Sequence, residues 1–125
     1  MNFPDTLTYT KEHEWIKVDG NVATIGITDF AQGELGDVIF LDIDSGKTVN
    51  AGDSVGSVEA VKTVSDIYSP VSGKIIEVNT AINDGPESVN KDPYGDGWLL
   101  KVEMSKPEEV SGTLTVADYK ALIGQ

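Results

Sequence analysis

Two strand-like runs, Ser54 to Ala60 and Thr63 to Tyr68, are separated only by Val61 and Lys62. A parallel crossover needs a dozen or more residues, so a connection this short forces the two runs to pair as an antiparallel hairpin. Lys62 is thereby predicted at a tight hairpin tip. Pro70 has no N–H to give to a ladder, so the second strand ends there or stays at a sheet edge. Ser72-Gly73 then turns the chain into a run from Lys74 to Val78.

The remaining chain has the same short-strand character. Glu14-Trp15-Ile16-Lys17-Val18 alternates and ends in Asp19-Gly20, a hairpin signal, with Val22 to Ile27 as the return strand. Thr28 is placed to cap a short helix with Asp29 in its first turn, running out near Gly36. Val38 to Ile43 reads as a buried strand, and Val49 with the turn Ala51-Gly52-Asp53 leads into the hairpin. Asn79 to Gly97 reads as loop and short helix, and Trp98 to Met104 as the last strand. From Thr115 the period changes. Thr115-Val116-Ala117-Asp118 resembles a capping box with Asp in place of Glu, and Val116, Tyr119, Leu122 and Ile123 fall on one face. A C-terminal amphipathic helix is predicted over about residues 115–123. The 125 residues are expected to make one mostly β domain with its core over about residues 14–104.

Charge narrows the function classes. Against 9 basic residues stand 21 acidic ones, a net of −12. Phosphate backbones and anionic membrane surfaces are bound by clustered Lys and Arg, so neither nucleic acid nor a membrane is an expected partner. An acidic field favours docking onto positively charged protein faces, and equally keeps an abundant protein soluble. The chain has no cysteine, hence no disulfide or thiolate nucleophile of its own. Any thiol chemistry would arrive on a cofactor. Its single histidine, His13, lies between two glutamates, but a lone histidine is a weak metal signal. A hydrogen-bonded structural or cleft-edge histidine is expected. No nucleophile–base–acid set and no phosphate-binding loop is visible, so a free-standing enzyme is not expected. Met1-Asn2-Phe3-Pro4-Asp5 has neither signal-peptide nor transit-peptide character, and a soluble, cytoplasmic protein is the expectation.

The segment Ser57 to Gly73 resembles the lipoyl and biotinyl carrier domains. Biotin carriers place Met on both sides of the modified lysine, where this chain has Val61 and Thr63. Lipoyl domains of the 2-oxoacid dehydrogenases place Asp directly before it. The H proteins of the glycine cleavage system carry Glu-Ser-Val-Lys-Ala, and here the residues are Glu59-Ala60-Val61-Lys62-Thr63, departing at Ala60 and Thr63. Tyr9 to Trp15, Ile25 to Asp29, Leu35 to Val38 and Asn90 to Trp98 are also similar to H protein segments, so the resemblance covers most of the chain.

The resemblance implies a flattened β-barrel sandwich of the biotinyl/lipoyl type, with short helices and the C-terminal helix. It implies lipoic acid on Lys62 in amide linkage. The arm would carry an aminomethyl group from glycine decarboxylase to the aminomethyltransferase, and electrons to dihydrolipoamide dehydrogenase. A lipoate ligase or lipoyl transferase would load it. A relay that donates lipoyl groups to other dehydrogenase complexes uses the same hairpin and is the alternative. Glu59 would serve ligase or partner recognition, or act only as a solubilising surface acid. Glu14 and Asp66, with Glu12, are the candidate cleft for the loaded arm: carboxylates hold a protonated amine and shield it from water. The other reading of these acids is a solvated rim. Trp15 and Trp98 are expected in core packing, Asp92 to Gly95 as an ordered turn, and Glu103, Glu108 and Glu109 on a solvated face.

Overall fold

The computed structural model describes residues 1–125, built on two antiparallel sheets. One is six-stranded, in the order β1 (Thr8–Tyr9), β2 (Glu14–Asp19), β3 (Val22–Ile27), β9 (Leu100–Met104), β8 (Gly73–Val78), β5 (Thr48–Val49). The other contains β4 (Val38–Ile43), β6 (Ser54–Ala60) and β7 (Val64–Tyr68) in that order. Helix α1 (Asp29–Leu35) bridges from β3 to β4, α2 (Glu87–Lys91) lies in the long β8–β9 connection, and α3 (Val116–Ile123) closes the chain. Short 3₁₀ turns occupy Thr80–Asn83 and Pro107–Gly112. The sheets stay open instead of closing into a barrel, and the predicted sandwich with a C-terminal helix is otherwise as expected. No helix is long and apolar enough to cross a membrane.

A cluster of 20 buried residues fills the space between the sheets, with Ile16, Ile25, Ile75 and Val102 from one side and Leu41, Val58 and Ile67 from the other. Successive residues of a strand point to opposite faces. Ile16 therefore enters this core while Trp15, its neighbour on β2, enters a second one with Phe3, Leu7, Tyr9 and Tyr119. The second core explains why both ends of the chain fold back onto the sheet. The Tyr9 and Tyr119 rings stack with centroids 4.9 Å apart, and Phe3 meets Tyr119 edge-on at 5.7 Å. Burial pushes the Tyr9 hydroxyl up to about 12, so it stays a neutral donor, here to the Pro4 carbonyl.

Element ends follow local chemistry. Thr28 caps α1 by accepting the Ala31 N–H at 3.2 Å. Thr115 caps α3 by accepting the Asp118 N–H at 3.2 Å; the Asp118 carboxyl, one methylene shorter than Glu, makes no return bond. Gly124 ends α3 in the left-handed conformation.

Five expectations need correction. β4, expected as a buried strand, is the edge strand of the small sheet: only Val38 and Leu41 are buried, and Ile39 and Phe40 are exposed. Leu122 is exposed, because Val116, Tyr119 and Ile123 form the buried stripe and Leu122 sits about 100° from Ile123. The last strand starts at Leu100, since the Trp98 N–H turns back to the Gly95 carbonyl. Trp98 is only half-buried, with the Lys101 ammonium 5.1 Å from its ring centroid. Glu109 is not merely solvated: it accepts from the N–H and hydroxyl of Ser72 at 2.7 and 2.8 Å.

Trp15 fixes its own neighbourhood. Its indole N–H donates to the Pro93 carbonyl at 2.9 Å, and its ring lies over Gly26, its partner across the β2–β3 ladder. A Cβ at Gly26 would come within 2.5 Å of the indole nitrogen. Gly26→Ala is therefore expected to displace the indole and break the Pro93 bond, lowering stability by about 2–3 kcal/mol. Urea titration followed by tryptophan fluorescence measures it; a loss under about 0.5 kcal/mol would show that the indole moves freely.

Candidate functional site

The β6–β7 hairpin closes where the sequence places it. The Ala60 N–H donates to the Thr63 carbonyl at 2.9 Å, leaving Val61 and Lys62 as the two loop residues. The Val61 N–H reaches across to the Asp37 carbonyl at 2.9 Å, tying the tip to the segment that enters β4. That segment is itself held by Asn90 of α2. The Asn90 side chain accepts the Val38 N–H at 2.9 Å and donates to the Gly36 carbonyl at 2.9 Å, bracketing Asp37. Lys62 is exposed, and its aliphatic stem lies over Gly36. Gly36 has φ 77 at the end of α1, and a Cβ there would stand 3.3 Å from the Lys62 stem. Glycine thus ends the helix and leaves room for the lysine in one position.

Beside this stem, α1 and β7 form the walls of a cleft of about 360 Å³. Phe30, Ala31, Glu34 and Leu35 face it from α1, a spacing of i, i+1, i+4 and i+5 that is one face of a helix. Ser65, Asp66 and Ile67 face it from β7. Ile27 lies in its floor, and Glu12 and His13 line it from the turn before β2. The middle is apolar and three carboxylates, Glu12, Glu34 and Asp66, stand around it.

Of the sequence-predicted acids, Glu12 and Asp66 come together in this cleft, and Glu14 does not line it. Only 1% of Glu14 is exposed. One of its oxygens accepts the Tyr68 N–H at 2.9 Å, and the other accepts the Thr10 hydroxyl at 3.2 Å. Burial disfavours its charge more than these bonds support it, and pushes its carboxyl up to about 8. Glu14 is a buried tie between β2 and the end of β7, which carries Asp66. Glu34 and Phe30 were missed in the sequence; the i, i+4 spacing of Phe30 and Glu34 was the available signal.

Glu59 is exposed on β6 and paired with Phe40 on β4 and Val64 on β7, one row across the small sheet. Phe40 and Val64 are 45% and 58% exposed, and Val61 at the tip is 68% exposed. Of eight large apolar side chains left exposed, four (Ile39, Phe40, Val61, Val64) belong to this hairpin or the strand beside it. Glu59 therefore sits in an apolar patch next to Lys62. Asp92 to Gly95 is an ordered turn: the Gly95 and Gly97 N–H groups donate to the Asp92 carbonyl, and the Tyr94 hydroxyl accepts the Asp29 N–H at 2.9 Å.

The fold and this site define a carrier domain: a sandwich that presents one lysine on a braced hairpin beside a cleft. Residues 7–125 match the family model described as glycine cleavage H-protein. A crystal structure of a glycine cleavage system H protein from Mycobacterium marinum is similar, with 42% identity and a TM-score of 0.89 over 98% of this chain and 100% of that one. The chain belongs to the glycine cleavage H-protein family, and its role is that of a lipoyl carrier in that system.

The buried Glu14 gives a pH signature. Its folded-state value lies above the ordinary 4.5, so its contribution is fully present below that pH and is lost as pH rises toward 8. His13 acts oppositely: burial lowers it, which weakens stability at acid pH. Glu14→Gln keeps an acceptor for Tyr68 without a titrating proton. Urea titrations from pH 5 to 8 are expected to show the wild type losing up to a few kcal/mol relative to the variant across that range. A constant difference would mean Glu14 is charged in the fold.

Proposed function

We infer that Lys62 carries the lipoyl group in amide linkage and serves the glycine cleavage enzymes as a shared, mobile substrate, not as a catalyst. The observation that carries this reading is the placement of Lys62: exposed on a two-residue tip, with its stem lying over Gly36, which follows the cleft residue Leu35 in the chain. The cleft also fits the group. Asp66 lies four residues along the strand from Lys62, about 13 Å at roughly 3.3 Å per residue. An extended lipoyl-lysine arm, about twelve bonds from Cα to the first sulfur at roughly 1.2 Å per bond, spans about 14 Å. Ala31, Leu35 and Ile67 offer apolar contact to its chain, and carboxylates wait near its far end.

When bound, the lipoyl group supplies a disulfide that is opened reductively and closed again. The chain's own residues bind and shield. Glu12 and Asp66, with Glu34, would accept hydrogen bonds from a protonated amine held at the end of such an arm, and the apolar walls would limit access of water to it. Glycine decarboxylase, the aminomethyltransferase and dihydrolipoamide dehydrogenase would each act on the group that Lys62 presents. The ligase or transferase that loads Lys62 grips the patch of Phe40, Glu59 and Val64. Apolar area supplies the contact there, and Glu59 addresses a basic side chain, in keeping with a net charge of −12.

Incubation with lipoate, ATP and a lipoate ligase, followed by peptide-mapped mass spectrometry, tests both parts. One lipoyl increment is expected on the Lys62 peptide and none in Lys62→Arg. Glu59→Lys is expected to lower kcat/KM of loading about tenfold, about 1.4 kcal/mol, mostly through KM. Increments scattered over other lysines would remove Lys62 from its role. Unchanged loading of Glu59→Lys would remove the ligase from the patch.

A further inference from the structure

His13 has one ring nitrogen committed and one free. Its Nδ1 lies 2.9 Å from the Tyr119 hydroxyl, whose oxygen lies 2.8 Å from Oγ1 of Thr28. Thr28 is fully buried, and its oxygen already accepts the Ala31 N–H. The Tyr119 oxygen is the one acceptor within reach of the Thr28 hydroxyl hydrogen. A buried hydroxyl left without an acceptor costs about 1–3 kcal/mol. Thr28 therefore donates to Tyr119, and Tyr119 donates to His13 Nδ1. A ring nitrogen that accepts carries no hydrogen, so His13 is neutral with its N–H on Nε2.

Nε2 makes no hydrogen bond within the protein. The one buried side-chain nitrogen or oxygen without a partner is Thr8 Oγ1, so Nε2 is open to solvent, on a residue that lines the cleft. The backbone is also bent to place this ring. His13 is the single non-glycine residue at positive φ, 67°, a conformation that costs about 1–2 kcal/mol. Two bonds hold it there: the His13 N–H to the Thr10 carbonyl at 3.1 Å, and the Thr28 N–H to the His13 carbonyl at 3.0 Å.

The carboxylates of the cleft cannot donate a hydrogen bond when ionised. Glu12, Glu34 and Asp66 when ionised only accept, which suits a cationic amine. A sulfur's lone pairs accept hydrogen bonds weakly, and the side-chain donors lining the cleft are the Ser65 hydroxyl and the His13 N–H, of which the His13 N–H is the one whose direction the fold fixes. We propose that His13 Nε2–H is the hydrogen-bond donor for a sulfur of the arm on Lys62, and that Tyr119 of α3 is the positioning residue that fixes the required tautomer. The C-terminal helix thereby reaches the cleft through one hydroxyl. This rests on the reading that the arm lies in the cleft.

With one histidine in the chain, a long-range ¹H–¹⁵N correlation spectrum reads the tautomer without ambiguity. In the unmodified protein at pH 7 the Nε2–H form is expected. Tyr119→Phe keeps the stacked ring but loses the hydroxyl, and is expected to give a mixture of tautomers. Lys62 is then loaded with lipoate or with octanoate, which has the same chain length without sulfur. Lipoyl is expected to shift Nε2 and its proton and octanoyl to leave them, while both shift the Asp66 and Ile67 amides. The Nδ1–H form in the wild type would overturn the proposal. So would Asp66 and Ile67 shifts with His13 unmoved by lipoyl, or an equal His13 response to octanoyl. Loading that moves none of these residues would instead remove the arm from the cleft.

Discussion

The hydrogen bond from the Val61 N–H to the Asp37 carbonyl is the constraint on which the rest of the site depends. A two-stranded hairpin standing alone is marginally stable in water, and its tip would wander. Here the tip is fastened to a neighbouring segment, and that segment is held at Gly36 and Val38 by the Asn90 side chain. Lys62 is thereby presented at a fixed point relative to α1. Only the side chain beyond the tip is free, which is what a modifying enzyme that must pick one lysine requires.

The cleft depends on the same frame. Its two long walls are α1 and β7, and Gly36 and Lys62 lie where these elements approach each other. Glu14 ties the end of β7 to β2 through the Tyr68 N–H, so Asp66 and His13 are set relative to one another by a buried bond and not by their own contacts. Tyr119 adds a third tie from α3, through Thr28 and His13. The second aromatic core therefore has a task besides burial, since it brings the Tyr119 hydroxyl to the cleft wall.

The hairpin was legible in the sequence because two residues between strand runs leave no other geometry. The cap at Thr28 and the end of α1 at Gly36 were legible for similar local reasons. Strands of two residues such as β1 and β5 were not, since their pairing is set by long-range partners and their length carries no periodicity. Of the candidate acids Glu14, Asp66 and Glu12, Glu12 and Asp66 line one cleft and Glu14 does not. Glu14 joins the candidates through a segment that resembles the family, and its burial is not readable by alternation along β2, because Trp15 and Ile16 beside it are buried as well. The hydrogen bonds of Asn90 and Tyr119 are not readable from the sequence: an amide that brackets a carbonyl 53 positions away in the chain, and a hydroxyl 106 positions from its histidine, leave no local trace.

Whether the tip is rigid is measured most directly by ¹⁵N relaxation of the Val61 and Lys62 amides in the unmodified protein. A braced tip gives order parameters of about 0.85, equal to those of the β6 and β7 amides, together with slow exchange of the Val61 hydrogen. Values below about 0.6 at Val61 and Lys62, with the strands still rigid, would show a loose loop and contradict the fixed presentation of Lys62.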